Sequence, residues 1–172
     1  MSVNLARQLS FNLVDDFELP KAANVAFKKR YSPLWLCLHF PQLALNLHEL
    51  ETGSPRLVVE EVKNRYVIHS ACNMANELGI RSGMTLSSAH ALCDDLTVYP
   101  RDKAQEKKAL EKIADWAQQF TPTVSLVFDG NCVLLEIRAS LLLFDGLLAL
   151  QQTLLASLEK NYPYMVNLAV AP

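Results

Sequence analysis

Five basic residues lie close together near the middle of the chain, and the chemistry open to them is neutralisation of phosphate. They are Arg101, Lys103, Lys107, Lys108 and Lys112. On a helix, such a cluster can contact the sugar-phosphate backbone of a nucleic acid. Acidic residues are interspersed among them, namely Glu106, Glu111 and Asp115. Ion pairs along a solvated helix are therefore the favoured interpretation, and phosphate contact is the alternative.

The thiols and imidazoles are not arranged as metal ligands. The cysteines are far apart and show no zinc-type spacing; they are Cys37, Cys72, Cys93 and Cys132. The four histidines are equally scattered. Most of the cysteines stand in apolar or helical stretches, so we interpret them as small core side chains in a reducing compartment.

Length, composition and charge narrow the class of protein. A chain of 172 residues fits one domain, or one domain with an insertion. Its hydrophobic share of 51% and charged share of 20% indicate a well-packed core. The net charge of -2 argues against a freestanding nucleic-acid-binding protein, but it does not exclude a local basic face. Because neither a membrane-length apolar stretch nor a signal-peptide pattern is found, a cytoplasmic protein is predicted.

The elements that would position these residues can be predicted in order. Residues 1–32 show no sustained periodicity and are treated as an N-terminal extension. The apolar run Leu34–Leu38 predicts a strand buried on both faces. A helix is predicted from Pro41 through Leu50, since proline is accepted in a first helical turn. Two strands within residues 56–69 flank Lys63-Asn64 and predict a hairpin.

Capping residues mark the helices that follow. A short helix is predicted from Asn73 to Leu78, closed by Gly79 in a left-handed C-terminal position. Thr85 can cap a helix that runs to about Cys93, and Leu96–Tyr99 predicts a short strand. Asp102 can cap a longer helix that runs to about Phe120.

The last part of the chain adds a hairpin, a helix and a strand. Two strands within residues 123–138 flank Asp129-Gly130, a dipeptide that favours a tight hairpin turn. A helix with one apolar stripe follows, made of Leu147, Leu150, Leu154, Leu155 and Leu158. Residues 164–170 close as a strand. The order predicts an α+β, ferredoxin-like fold with an insertion after its first strand, a plan that many ligand-binding modules share.

A specific set of spaced residues within Val67–Arg101 indicates a family. They are Gly79, Ile80, Arg81, Gly83, Met84, Ala89, Leu92, Cys93 and Pro100. Their order resembles the fingers of Y-family, or translesion, DNA polymerases. There, a helix that closes with Gly, Val or Ile, Arg or Lys, any residue, Gly and Met precedes an Ala-x-x-Leu-Cys helix and a strand that ends in proline. Phe120-Thr121-Pro122 is similar to the step before the palm hairpin of those enzymes.

The resemblance covers roughly residues 34–172 and implies how the chain is divided. Residues 1–32 would be an extension, and residues 33–40 the first strand of a polymerase palm. Residues 41–95 would be an inserted fingers subdomain, and residues 96–172 the remainder of the ferredoxin-like palm. In the family, thumb and little-finger domains follow, so we expect this chain to be the N-terminal part of a longer protein.

The resemblance also implies where an active member would carry its metal ligands. The family holds two divalent metals with one Asp from the first strand and an Asp-Glu pair from the palm hairpin. The first position falls at Leu38, and the pair falls at Gly130-Asn131 or at Asn131-Cys132. Leucine cannot ligate magnesium. Asp129 is the residual candidate, although its favoured role is to form the Asp-Gly turn.

The nucleotide-gripping positions are altered as well. Active fingers carry a Tyr-x-x-Arg pair that holds the triphosphate, and these positions fall at Asn73 and Asn76. Asparagine supplies only neutral donors in place of a charge-assisted contact. No aromatic stands at Pro41–Leu43, near the position of the family's sugar-selecting side chain. No cofactor is therefore expected, and magnesium would be needed only if the protein were active.

The first strand and its exit resemble one subset of the family. Leu34–Pro41 reads Leu-Trp-Leu-Cys-Leu-His-Phe-Pro, which is similar to the ImuB type, a polymerase-like partner in bacterial damage-induced mutagenesis. The resemblance implies a non-catalytic scaffold that brings an error-prone replicative-type polymerase and the sliding clamp to lesions, alongside an ImuA-type, RecA-like protein. The candidate DNA contacts are Arg81, Arg101, Lys103 and Lys107.

Two alternative functions stay open. One is an active DNA polymerase with a non-standard metal site that uses Asp129, and the other is a ferredoxin-like ligand-sensing module. Gln8-Leu9-Ser10-Phe11 also resembles the peptide that docks on the sliding clamp. It lacks one hydrophobic position, so a mobile or self-packed arm is the favoured interpretation of that segment.

Overall fold

A computed structural model describes residues 32–48 and 53–172 of the chain. The clamp-like peptide and all of the predicted extension except Ser32 lie outside these residues. The elements are, in chain order, β1 (Trp35–His39), α1 (Leu43–Asn46), β2 (Arg56–Val62), β3 (Arg65–Ala71), α2 (Asn73–Glu77), α3 (Leu86–His90), β4 (Thr97–Pro100), α4 (Lys103–Ala117), β5 (Val124–Val127), β6 (Cys132–Glu136), α5 (Leu147–Asn161) and β7 (Asn167–Ala171). None of the described helices is long and apolar enough to span a membrane.

The larger sheet has four strands in the order β5-β6-β1-β7, and every neighbouring pair in it is antiparallel. In chain order its parts are β1, α4, β5, β6, α5 and β7. This is the split β-α-β plan, with the first strand at the centre of the sheet. The predicted α+β, ferredoxin-like palm with an inserted subdomain is therefore confirmed.

The core of this sheet lies between its strands and the two long helices. β1 is alternately buried and half-buried, and Leu36 and Leu38 are its two buried residues. The apolar stripes of α4 and α5 cover that face with Leu110, Ile113, Ala114, Ala117, Leu150, Leu154 and Leu158. Leu155 was predicted to share the stripe, but it is 40% exposed. It follows Leu154 directly, so it faces a different side of the helix.

The inserted region forms a second sheet with strand order β3-β2-β4 and its own apolar core. The predicted hairpin turn is confirmed, since Lys63 and Asn64 have φ values of 51° and 58°. β4 runs parallel to β2 in this same sheet. The small sheet thus extends to Pro100, beyond the boundary placed at residue 95. The sequence of a strand as short as β4 does not indicate which strand it pairs with, so the end of the insertion was placed before β4 rather than after it.

Local capping chemistry sets the helix starts. The Thr85 side chain accepts a hydrogen bond from the backbone N–H of Ser88. The Asp102 carboxylate accepts from the N–H groups of Ala104 and Gln105. Both caps follow the prediction, because each oxygen satisfies N–H groups that have no partner within the helix. The helix predicted from Pro41 through Leu50 is shorter, because it spans only Leu43–Asn46 and Leu47 is its C-cap. Leu50 itself lies outside the described residues.

The hairpin between β5 and β6 differs from the predicted one. Phe128–Gly130 forms a single turn of 3-10 helix, and left-handed backbone occurs at Asn131, with a φ of 47°. Val127 is directly opposite Cys132, so four residues separate the paired ends. A tight Asp-Gly turn needs positive φ at both of its central residues, and neither Asp129 nor Gly130 has it. The two-residue turn was therefore wrong, although the hairpin is present.

Candidate functional site

The face of the palm sheet opposite the two long helices, which we call the open face, is only half-buried, so its side chains can reach a ligand. Alternation along β1 and β6 places Cys37, His39, Cys132 and Leu134 on this side, each of them half-buried. His39 lies directly opposite Cys132 in the strand register. Asn131 directly precedes Cys132, and its carbonyl accepts a 3.0 Å hydrogen bond from the N–H of Phe40.

Leu38 lies on the other side of the sheet. It is fully buried and is paired with Val133, which is also fully buried. A side chain in that core cannot reach a ligand on the open face, so the burial of Leu38 does not fit the first metal position predicted for it. The open-face residue at this end of β1 is His39. Successive strand residues point to opposite faces, and a shift of one residue exchanges those faces.

The groups near His39 carry little negative charge. Burial raises the pKa of the Cys132 thiol to about 11, and the neighbouring Cys37 thiol adds to that shift. The Cys132 thiol donates to the carbonyl of Gly130 at 2.9 Å. Cys132 therefore stays a neutral thiol near pH 7. Imidazole, thiol and amide groups do not fit a pair of magnesium ions, which prefer carboxylate and other oxygen ligands.

The two nearby carboxylates are directed elsewhere. Asp129 is exposed at the hairpin tip, where it lines a cleft together with Lys103 and Lys107. Glu136 is opposite Trp35, at the far end of β1. Its Oε1 accepts hydrogen bonds from the N–H groups of Leu34 and Arg138 at 3.0 and 3.1 Å. Within residues 32–48 and 53–172, no three His, Cys, Asp or Glu side chains converge as a metal site.

The two asparagines predicted to stand at the nucleotide positions lie on α2. Asn73 is exposed at the start of that helix, and Asn76 is half-buried, with its side-chain amide donating to the carbonyl of Ala71 at 3.2 Å. Arg81 is exposed, and its Nη1 donates to the carbonyls of Asn76 and Ile80. That nitrogen covers the C-terminal end of α2. The other guanidinium nitrogens have no such bond to these carbonyls.

Arg101 is the centre of an ion-pair network between the small sheet and α4. Its Nε and Nη2 donate to the two carboxylate oxygens of Glu106 at 2.8 and 2.9 Å. Its Nη1 donates to Glu60 of β2 at 3.0 Å. Three of the five guanidinium N–H groups thus bind carboxylate oxygens, so a DNA contact by Arg101 would have to compete with this network. Glu106 was predicted to be solvated, but it is buried at 4% exposure.

Lys103 and Lys107 keep exposed ammonium groups beside this network. Their side chains are 74% and 59% exposed. Lys103 Nζ lies 3.5 Å from Glu60, and Lys107 Nζ lies 3.9 Å from Glu111 in the predicted helix pair. Lys107 Nζ also stands 5.3 Å from the ring centroid of Phe128. With His69, Arg101 and Asp129, these lysines line a cleft of about 220 Å³. Exposed ammonium groups at such a cleft could contact phosphate.

His69 should make the stability of the protein depend on pH. Burial lowers its pKa below the ordinary 6.5, Arg101 lowers it further, and Glu106 and Glu60 oppose the shift. The unfolded chain therefore takes up this proton more readily, and the free energy of unfolding should fall as the pH drops below 6.5. Urea denaturation at pH values above and below 6.5 should show that the free energy of unfolding falls less in His69→Gln than in the wild type. His90→Gln, at an exposed histidine, is the control. If the free energy of unfolding fell as much in His69→Gln as in the wild type, the pH dependence would not come from His69.

The fold is similar to solved structures of Y-family DNA polymerases. DinB from Sulfolobus solfataricus superposes with a TM-score of 0.67 at 15% identity. The post-insertion binary complex and the insertion ternary complex of Dbh DNA polymerase give TM-scores of 0.70 and 0.69, again at 15% identity. Each match covers 81% of this chain, which spans 42% of the length of each solved chain. At this level of identity, the likeness shows the fold.

The sequence itself identifies the family. No curated protein matches the chain by sequence. The model of the impB/mucB/samB family matches residues 36–172. That span takes in both sheets, the inserted region and the two long helices. Because the match covers most of the chain, the protein belongs to the impB/mucB/samB family, whose shared domain is that of the Y-family DNA polymerases.

Proposed function

We propose that this protein is a non-catalytic, polymerase-like component of bacterial DNA repair and damage-induced mutagenesis, of the ImuB type. The observation that carries the proposal is the chemistry of the open palm face. His39 and Cys132 stand opposite each other where paired carboxylates would be needed. Two-metal nucleotide transfer depends on such carboxylates to hold the ions that stabilise the attacking and leaving oxygens.

The fingers support the same proposal independently. Asn73 and Asn76 stand where the family's active members carry a tyrosine and an arginine. The side-chain amide of Asn76 also donates a hydrogen bond to the Ala71 carbonyl, so it has less capacity to bind a triphosphate. Loss of the charge that holds the phosphates would weaken nucleotide binding even if a metal were present. Metal and nucleotide positions have changed together, as expected of a site no longer used for synthesis.

The proposed role is that of a scaffold in translesion synthesis. In the full-length protein it would bring an error-prone replicative-type polymerase, the sliding clamp and an ImuA-type, RecA-like protein to damaged DNA in the cytoplasm. DNA contact within this chain is assigned to the exposed ammonium groups of Lys103 and Lys107 and to Arg81. Membership of the polymerase family argues against the ligand-sensing module, because sensing was suggested only by the shared ferredoxin-like plan.

Primer extension by the full-length protein tests the proposal. With magnesium or manganese and all four nucleotides, we expect no product above that of primer incubated without protein, because the open face lacks the necessary carboxylates. Asp129→Ala should behave identically, and an active Y-family polymerase in the same buffer is the positive control. Robust extension by the wild-type protein that Asp129→Ala abolishes would establish the alternative, an active polymerase with a non-standard metal site.

A further inference from the structure

A cleft of about 470 Å³ lies on the small sheet, between the β2–β3 hairpin and α3. It shares no residue with the cleft that contains Lys103 and Lys107. The hairpin contributes Asn64, Arg65 and Tyr66, and the cap and body of α3 contribute Thr85, Ser87 and His90. None of the family-derived positions considered above lines this cleft.

Backbone hydrogen bonds hold the two walls of this cleft together. β3 meets the start of α3 through a bridge between Val67 and Thr85. The N–H of Ile68 donates to the carbonyl of Met84 at 2.8 Å. Left-handed backbone at Lys63 and Asn64 reverses the chain just before Arg65. The cleft is therefore preformed, so a ligand would meet little cost of ordering the backbone.

Apart from Thr85, which caps α3, the polar side chains of the cleft are exposed and can bind a ligand. Tyr66 is 56% exposed and is the second residue of β3, next to the hairpin turn. In the described part of the chain, Arg65, Ser87 and His90 have no hydrogen-bond or ion-pair partner for their side chains. No carboxylate lines the cleft, and Glu61, opposite Tyr66 on β2, is the acidic neighbour in the register.

We propose that this cleft binds one nucleotide of single-stranded DNA. The base stacks on the Tyr66 ring, and the adjoining phosphate accepts hydrogen bonds from the Arg65 guanidinium and the His90 imidazole. An exposed aromatic ring beside unpaired cationic and neutral donors is the combination that binds single strands without regard to sequence. The inference rests on the proposed role of the protein at damaged DNA, and it assigns the small sheet a contact of its own.

Fluorescence anisotropy with a labelled oligothymidylate and the whole chain tests the cleft. Tyr66→Ala should weaken binding by about tenfold, from the usual worth of one base stacked on an aromatic ring. Tyr66→Phe keeps the ring and should bind like the wild type. Arg65→Ala should lower the slope of log affinity against log salt by about 0.7, as expected for one lost phosphate contact on a single strand. Lys160→Ala, an exposed lysine at the end of α5, is the matched control for charge.

The outcomes separate the cleft from the proposed function. If Tyr66→Ala and Arg65→Ala bind as the wild type does, while Lys103→Ala weakens binding, the cleft proposal is overturned and DNA binding by the protein stands. If the wild-type chain does not bind the oligonucleotide at all, the cleft proposal also fails. Primer extension then still decides the question of catalysis. Displacement of the oligonucleotide by a tyrosine-free acidic peptide, with no effect of Tyr66→Ala, would indicate a protein ligand and overturn the proposal.

Discussion

Leu38→Asp is expected to prevent stable folding, whereas His39→Asp should fold normally. Leu38 is fully buried between the palm sheet and its helices. Removing a buried leucine side chain alone costs about 2–5 kcal/mol, and an unpaired buried carboxylate adds several kcal/mol more. Together these approach the whole stability of a domain, which is about 5–15 kcal/mol. Circular dichroism and urea denaturation would measure the loss.

His39→Asp is the matched control, since it introduces the same carboxylate one residue along β1. His39 is half-buried on the open face, so we expect the free energy of unfolding to change by less than about 1 kcal/mol. If Leu38→Asp were as stable as His39→Asp, the register of β1 described above would be wrong. The comparison separates the two assignments of the first-strand position without any measurement of activity.

A double variant tests whether two added carboxylates are enough to give the open face a metal site. His39→Asp with Cys132→Glu would place two carboxylates directly opposite each other in the register. Like charges in that arrangement repel each other and should lower the melting temperature relative to His39→Asp alone. Magnesium or manganese should reverse this loss by binding between them, because both ions prefer carboxylate oxygens. No response to either cation would show that the open face cannot be restored by two substitutions.

Local signals in the sequence were sufficient for much of the fold. Thr85 and Asp102 cap the helices that were predicted from them, and Lys63-Asn64 forms the predicted turn. Each cap and turn is determined by a few neighbouring residues, so it can be predicted from a short stretch of the sequence. The Asp129-Gly130 turn failed because Asn131 can also adopt left-handed backbone, which allowed a longer connection.

The candidate site was harder to predict, because it depends on which side of a strand each residue faces. The run Leu34–Leu38 is apolar throughout, so it contains no alternation to distinguish Leu38 from its neighbours. Only the pairing of Leu38 with Val133, and of His39 with Cys132, settles the orientation. That pairing joins residues more than ninety positions apart. The Arg101 network was missed for the same reason, since Glu60 is 41 residues away from Arg101.

Arg101→Met is expected to lower the free energy of unfolding by about 3–5 kcal/mol, the usual cost of removing one partner from a buried ion pair. The Arg101 and Glu106 side chains are 17% and 6% exposed, so the Glu106 carboxylate would lose its bidentate partner at a largely buried position. Urea denaturation of the single variant would measure the loss. Because Arg101 joins β2 to α4, hydrogen exchange should also increase across the small sheet.

Two further variants show whether the network or the arginine itself matters. Arg101→Met combined with Glu106→Leu should recover much of the stability, because no buried charge then lacks a partner and apolar side chains of similar size replace the pair. Lys107→Met is the control for an exposed pair on the same helix, and it should cost less than about 1 kcal/mol. A loss in Arg101→Met no greater than that in Lys107→Met would mean that the network contributes only as an ordinary surface ion pair. The stability of the small sheet would then come mainly from its own apolar core.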